Sequence, residues 1–141
     1  MPYKFISLLV LSHLLLGADF VKMPDSVVDK KHHLQWQDTT KLEMYEEKWD
    51  MSREHCKGLN LDSFSDWRLP TQKELISLAQ NKAIKASFVY LKKQVFWSAN
   101  EDKNNPLNAY TIYIGNGHKS SNDKCETNNV VCVRTVVKLQ K

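Results

Sequence analysis

Little in this sequence interrupts the chain. It has four glycines and four prolines among 141 residues, with no internal repeat, low-complexity tract or Pro- or Gly-rich linker in its body. A disordered segment and a flexible spacer between domains are set aside on that ground. Cysteine is scarce, at positions 56, 125 and 132 only. Charge of one sign is scarce too: 20 Lys and Arg stand against 16 Asp and Glu, and the lysines are scattered. Without a basic stripe to track a phosphate backbone, nucleic acid is not an expected partner. What is present is an ordinary globular balance, 42% apolar and 26% charged. The length suits one domain with a real core and hardly two.

The one long hydrophobic run comes first. "MPYKFISLLVLSHLLLGAD" places a single cation, Lys4, before an apolar run from Phe5 to Leu16, followed by the small residues Gly17 and Ala18. That is the order of a secretory signal peptide. Such a run spans about 18 Å as a helix, short of a bilayer core of roughly 30 Å. We therefore expect a signal peptide over 1–18, a short tether over 19–25, and one domain over 26–141. No membrane span is expected after cleavage. The product would be exported, periplasmic or extracellular, in a compartment where cysteines pair.

"SVVDKKHHLQWQD" alternates around the polar tip 29–33, with Leu34 and Trp36 interleaved with glutamines, and predicts a small β-hairpin. "TKLEMYEEKWDMSREHCKG" begins with Thr40 and Glu43 at capping-box spacing. Leu42, Tyr45, Trp49 and Cys56 recur at helical intervals, and Gly58 stands where a left-handed cap residue belongs. One amphipathic helix is predicted.

The densest stretch is "DWRLPTQKEL" (66–75). Pro70 drives Leu69 toward extended geometry. Thr71 and Glu74 form a second capping box, and Leu75, Leu78 and Ala79 give an apolar helix stripe. Trp67 is expected to pack in the core. Arg68 is expected to donate its planar fork to carbonyls or to a carboxylate such as Asp66. With no nucleophile, histidine or metal-ligand pair, the stretch reads as scaffold.

"VFWSAN" (95–100) and "AYTIYIG" (109–115) read as strands, the latter ending at a Gly-Asn-Gly turn. "NVVCVRTVV" (129–137), β-branched, suits a central strand. Hairpin, helix, helix, then strands is an α+β order with an antiparallel sheet.

Taken together, "LQWQD", "DWRLPTQKEL", "FWSAN" and "VVCVR", in that order, resemble the DUF1566 family, also named for the C-terminal domain of the Legionella collagen-like protein. The structural motif residues so identified are Trp36, Asp66, Trp67, Arg68, Leu69, Pro70, Thr71, Glu74, Trp97 and Arg134. The resemblance implies a C-type-lectin-like fold, two helices packed on a twisted antiparallel sheet with its ends close together. It also implies a disulfide from the first helix to the last strand, here Cys56 to Cys132. A local Cys125–Cys132 bridge is the alternative. The first pairing leaves Cys125 over, as a free thiol or an intermolecular link.

No cofactor and no metal are expected. The histidines lack metal-ligand spacing and read as solvated. Lectins of the implied fold that hold sugar through calcium carry a Glu-Pro-Asn type loop. Here "NNPLN" has the proline without a carboxylate, and "CETNNVVC" offers one carboxylate, Glu126, and two amides.

Ligand contacts are expected on a long polar loop, "NEDKNNPLNAY", together with "GNGHKSSNDK". Tyr110 and Tyr113 would offer flat faces to a sugar, although period-2 tyrosines on a strand are more often packing. Lys103, His118, Lys119 and Lys124 would meet anions. The function expected is a non-enzymatic binding module for a polysaccharide or another cell-surface polymer. The alternative is an assembly component that contacts itself or another surface protein.

Overall fold

The computed structural model describes residues 19–138; the expected signal peptide lies outside them. Nine strands, three α-helices and one 3-10 turn form two sheets with helices against them. The class is α+β. Among the described residues no helix is long and apolar enough to cross a membrane.

The first sheet has the order β1 (Phe20–Lys22), β2 (Ser26–Asp29), β3 (Leu34–Gln37), β9 (Val133–Thr135), antiparallel throughout. β2 and β3 are the predicted hairpin, with Val27 opposite Trp36. Trp36 in turn faces Val133, so both ends of the domain close in one sheet. Residues 19–25 do more than tether, because they supply β1. Lys22 also reaches the fully buried Asp38 at 2.9 Å. The Asp38 carboxylate accepts the Val89 and Tyr90 N–H groups, each at 2.9 Å, and so clamps a distant loop to the end of β3.

The second sheet has the order β4 (Glu46–Glu47), β8 (Asn128–Asn129), β5 (Val95–Asp102), β6 (Asn105–Tyr113), β7 (Lys119–Asp123). Its pairs are antiparallel except β8 on β5. Against the sheets pack α1 (Trp49–Lys57), α2 (Gln72–Gln80) and the short α3 (Lys82–Ala86). Phe96 and Trp97 are neighbours on β5, so they point to opposite faces. Phe96 joins a core with Trp36, Leu75, Leu78, Ala79 and Ile112. Trp97 joins a second core with Trp49, Cys56, Trp67, Leu69 and Cys132.

Five expectations are corrected. The helix expected from Thr40 is split into a 3-10 turn over Thr40–Glu43, the strand β4, and α1 from Trp49. Leu42 belongs to the first core and Trp49 to the second. One straight helix would put residues seven apart on the same face. The Thr40–Glu43 box does not form. The capping position is Thr39, whose hydroxyl accepts from Gln37 Nε2 and caps nothing. Gly58 ends α1 at φ −85°, a right-handed conformation, with its N–H still bonded to Glu54 and Cys56.

The expected strand over 129–137 is two strands in two sheets, β8 and β9, with the chain crossing between the cores at 130–132. The expected long polar loop is instead a hairpin: Asp102 pairs with Asn105 across a tight turn.

Candidate functional site

Asp66 opens the "DWRLPT" stretch and binds the last strand. Arg134 donates to it through Nε at 2.6 Å and Nη2 at 3.3 Å. Arg134 Nη1 also donates to Gln35 at 2.7 Å, and the guanidinium lies 3.7 Å over the Phe64 ring. Hydrogen bonding from Arg134 holds the Asp66 carboxyl below the usual carboxylate range, and the Arg134 charge adds to the effect.

Arg68 does not pair with Asp66, because Arg134 already occupies that carboxylate. It donates instead to both oxygens of Glu74, at 3.0 and 2.9 Å, and further to the Leu69 carbonyl and Thr135 Oγ1. Glu74 is held by the capping box: its side chain accepts the Thr71 N–H at 2.8 Å, and its own N–H donates to Thr71 Oγ1 at 3.1 Å. One carboxylate thus starts α2 and orients Arg68. Pro70 lends its carbonyl to the Ala99 N–H at 2.7 Å, joining the connector to β5. Trp67 is buried, with Nε1 donating to the Phe64 carbonyl.

The remaining motif residues are internal in the same way. Trp36 lies in the first core. Trp97 Nε1 donates to the Glu47 carbonyl at 2.7 Å, fixing β4, and Trp49 Nε1 donates to the Ser98 carbonyl. Gln35 and Gln37 are buried, and the Gln37 side chain accepts the Cys132 N–H at 3.1 Å. A disulfide joins Cys56 of α1 to Cys132, with Cα atoms 5.5 Å apart. Cys125 is free and exposed. Asp66, Arg68, Thr71, Glu74, Trp67, Trp97 and Arg134 each hydrogen-bond within the fold through their side chains.

The six candidate contact residues do not form one cluster. Tyr110 and Tyr113 are three apart, not two, and therefore stand on opposite faces of β6. Tyr110 Oη donates to Asp102 at 3.1 Å, and Lys119 Nζ sits 4.3 Å over its ring. The same carboxylate binds Ser121 Oγ, which Asn108 Nδ2 also reaches. Hydrogen bonding, from Ser121 first, lowers the Asp102 pKa. Tyr110, Lys119, Asp102, Ser121 and Asn108 make one connected polar surface on the β5–β6–β7 meander.

Tyr113 covers Gly115, where even a Cβ would fall 2.4 Å from the tyrosine ring. His118 lies in the β6–β7 turn at that same end, and Lys103 lies at the opposite hairpin tip. Lys124 stands over the Trp49 ring at 4.5 Å, donates to the Pro106 carbonyl at 2.7 Å and pairs with Glu101 at 3.2 Å.

Two histidines differ from the solvated expectation. His32 Nδ1 lies 2.6 Å from the buried Asp29 carboxylate, which also accepts the His32 N–H. The two are three residues apart in the "DKKH" turn, a local signal the sequence reading passed over. His55 stacks on Tyr45 with centroids 4.5 Å apart, and burial lowers its pKa, helped by Lys41. Burial raises the Tyr45 pKa, with Glu47 adding to it. Among the described residues no three His, Cys, Asp or Glu side chains converge to hold a metal ion.

The family described as the Lcl C-terminal domain matches residues 25–134 of this chain. No curated protein matches it. Among solved structures, "Structure of EPNH mutant of CEL-I" is similar at 8% identity and a TM-score of 0.44, covering 86% of this chain and 97% of that one.

Proposed function

The chain belongs to the Lcl C-terminal domain family, and we propose that it is an exported, non-enzymatic binding module for a polysaccharide or another cell-surface polymer. One observation carries the reading. The motif side chains are spent on the fold, whereas the meander surface around Tyr110, Lys119, Asp102, Ser121 and Asn108 turns a hydrogen-bonded polar network and an aromatic–cation pair outward. An aromatic face beside fixed donors and acceptors suits sugar rings and their hydroxyls. Export accords with the disulfide, which persists in oxidising compartments.

Binding of the purified protein to immobilised polysaccharides tests this, with Tyr110→Ala and Lys119→Gln alongside. Loss of binding in both variants is expected; binding that survives both removes the meander from the reading.

A second reading rests on a different feature. β7 is an edge strand, and the exposed thiol of Cys125 follows two residues later. Both suit an assembly contact with another surface protein or a second copy. A dimer on a non-reducing gel that reductant removes, and that Cys125→Ser abolishes, would favour it.

A further inference from the structure

His55 of α1 is half-buried and stacked on Tyr45, with ring centroids 4.5 Å apart. No described group hydrogen-bonds to either of its ring nitrogens, and burial, helped by Lys41, lowers its pKa. The imidazole is therefore neutral near neutral pH and keeps a nitrogen lone pair unused. Met51 stands four residues earlier on the same helix and is exposed. Residues so spaced share a helix face, with Cβ atoms about 5–6 Å apart. The Met51 side chain is unbranched and turns about several bonds, so its polarisable sulfur can reach the ring.

Hard donors are scarce around this pair. The acids of α1 are engaged, Asp50 facing Arg53 at 3.7 Å and Glu54 meeting Lys57 at 3.3 Å. Glu47 acts on His55 from beside β4, and Lys41 acts against it. A divalent ion would feel the Lys41 charge twice as strongly as a monovalent one. Calcium and magnesium take oxygen ligands, and zinc sites bring at least three protein ligands. A thioether with a neutral imidazole suits Cu(I) and ions like it. Because Cys56 and Cys132 are joined to each other, the thioethers and the Cys125 thiol are the soft donors left among the described residues.

We propose that Met51 and His55 bind a soft monovalent metal ion of the Cu(I) class, through the Met51 sulfur and one His55 ring nitrogen. The pair shares no residue with the Tyr110–Lys119 surface and stands or falls independently of the polysaccharide reading.

The test uses Ag(I), a redox-inert ion of the same charge and ligand preference. Silver nitrate is titrated in chloride-free buffer into the protein carrying Cys125→Ser, because an exposed thiol would compete as a soft ligand. Methionine methyls and histidine rings are followed by 1H–13C NMR. Saturable shifts are expected at the Met51 methyl and the His55 ring. Met51→Leu keeps the volume and removes the sulfur, and at this exposed position it should leave the thermal midpoint unchanged. Met51→Leu and His55→Gln should each weaken binding at least about tenfold, the least effect expected even of a group that only orients a metal ligand. Met23→Leu, between β1 and β2, should leave binding unchanged. Equal shifts at every methionine methyl and histidine ring, or binding undiminished in both variants, would overturn the proposal. So would Zn(II) binding as tightly as Ag(I), since the sulfur would then have no part in it.

Discussion

Arg134 and Asp66, 68 residues apart in sequence, meet through two hydrogen bonds, Nε to Oδ1 at 2.6 Å and Nη2 to Oδ2 at 3.3 Å. The pair fastens the start of the connector to the closing strand. Arg134 is nearly buried, and Gln35 holds its other nitrogen. The contact therefore fixes three parts of the chain at once: β3, the connector and β9.

The pair makes a prediction in acid. The Asp66 carboxyl is held below its usual range when folded. Its stabilisation is thus full above the unfolded value of about 3.9 and is lost as pH falls through the folded one. Asp66→Asn should cost about 1 kcal/mol near neutral pH, a small effect because Asp66 stays largely exposed. Denaturant midpoints of the two proteins should converge below the ordinary carboxylate range.

His55 acts in a separate window. Burial and Lys41 lower its folded pKa, so protonation favours the unfolded chain. Its effect is absent above about 6.5, and stability falls as pH drops through that value toward the folded pKa. An NMR titration of the ring should give a midpoint below 6.5, the model-peptide value. His55→Gln should flatten this part of the stability profile.

Removing the disulfide by Cys56→Ser with Cys132→Ser opens a link across a sequence separation of 76. In the chain-entropy account this costs about 4–5 kcal/mol, to be read from urea midpoints. Cys125→Ser, at an exposed free thiol, should leave the midpoint unchanged.

At the start of α2, Thr71→Ala removes one hydrogen bond of the capping box and should cost about 1 kcal/mol. Glu74→Gln keeps a group able to accept from the Thr71 N–H but loses the charge that holds Arg68. Its stability should depend less on salt than the parent's. Thermal unfolding of both variants at low and high ionic strength checks these outcomes.

Sequence legibility followed the range of the interaction. The Thr71–Glu74 box, the Leu75–Leu78–Ala79 stripe and the β2–β3 hairpin are local, and each was readable. The Thr40–Glu43 spacing carried the same local signal and misled, because Leu42 and Trp49 serve different cores. The β-branched run at 129–137 could not announce that its ends lie in different sheets. Sequence alone pairs Asp66 with Arg68, two residues on, because nothing local points to a partner in β9. At the candidate surface, lysine and tyrosine types suggested contact residues. Only the register of β6 and β7 shows that Tyr110 and Lys119 meet while Tyr113 and Lys124 lie elsewhere.

The most direct test is a glycan array including sulfated polysaccharides, probed with the purified protein in calcium and in chelator, beside the Tyr110→Ala, Lys119→Gln double variant. The account predicts saturable binding that ignores chelator, weakens in moderate salt and is lost in the variant. Absence of binding to every glycan, or binding that chelator removes, would contradict it.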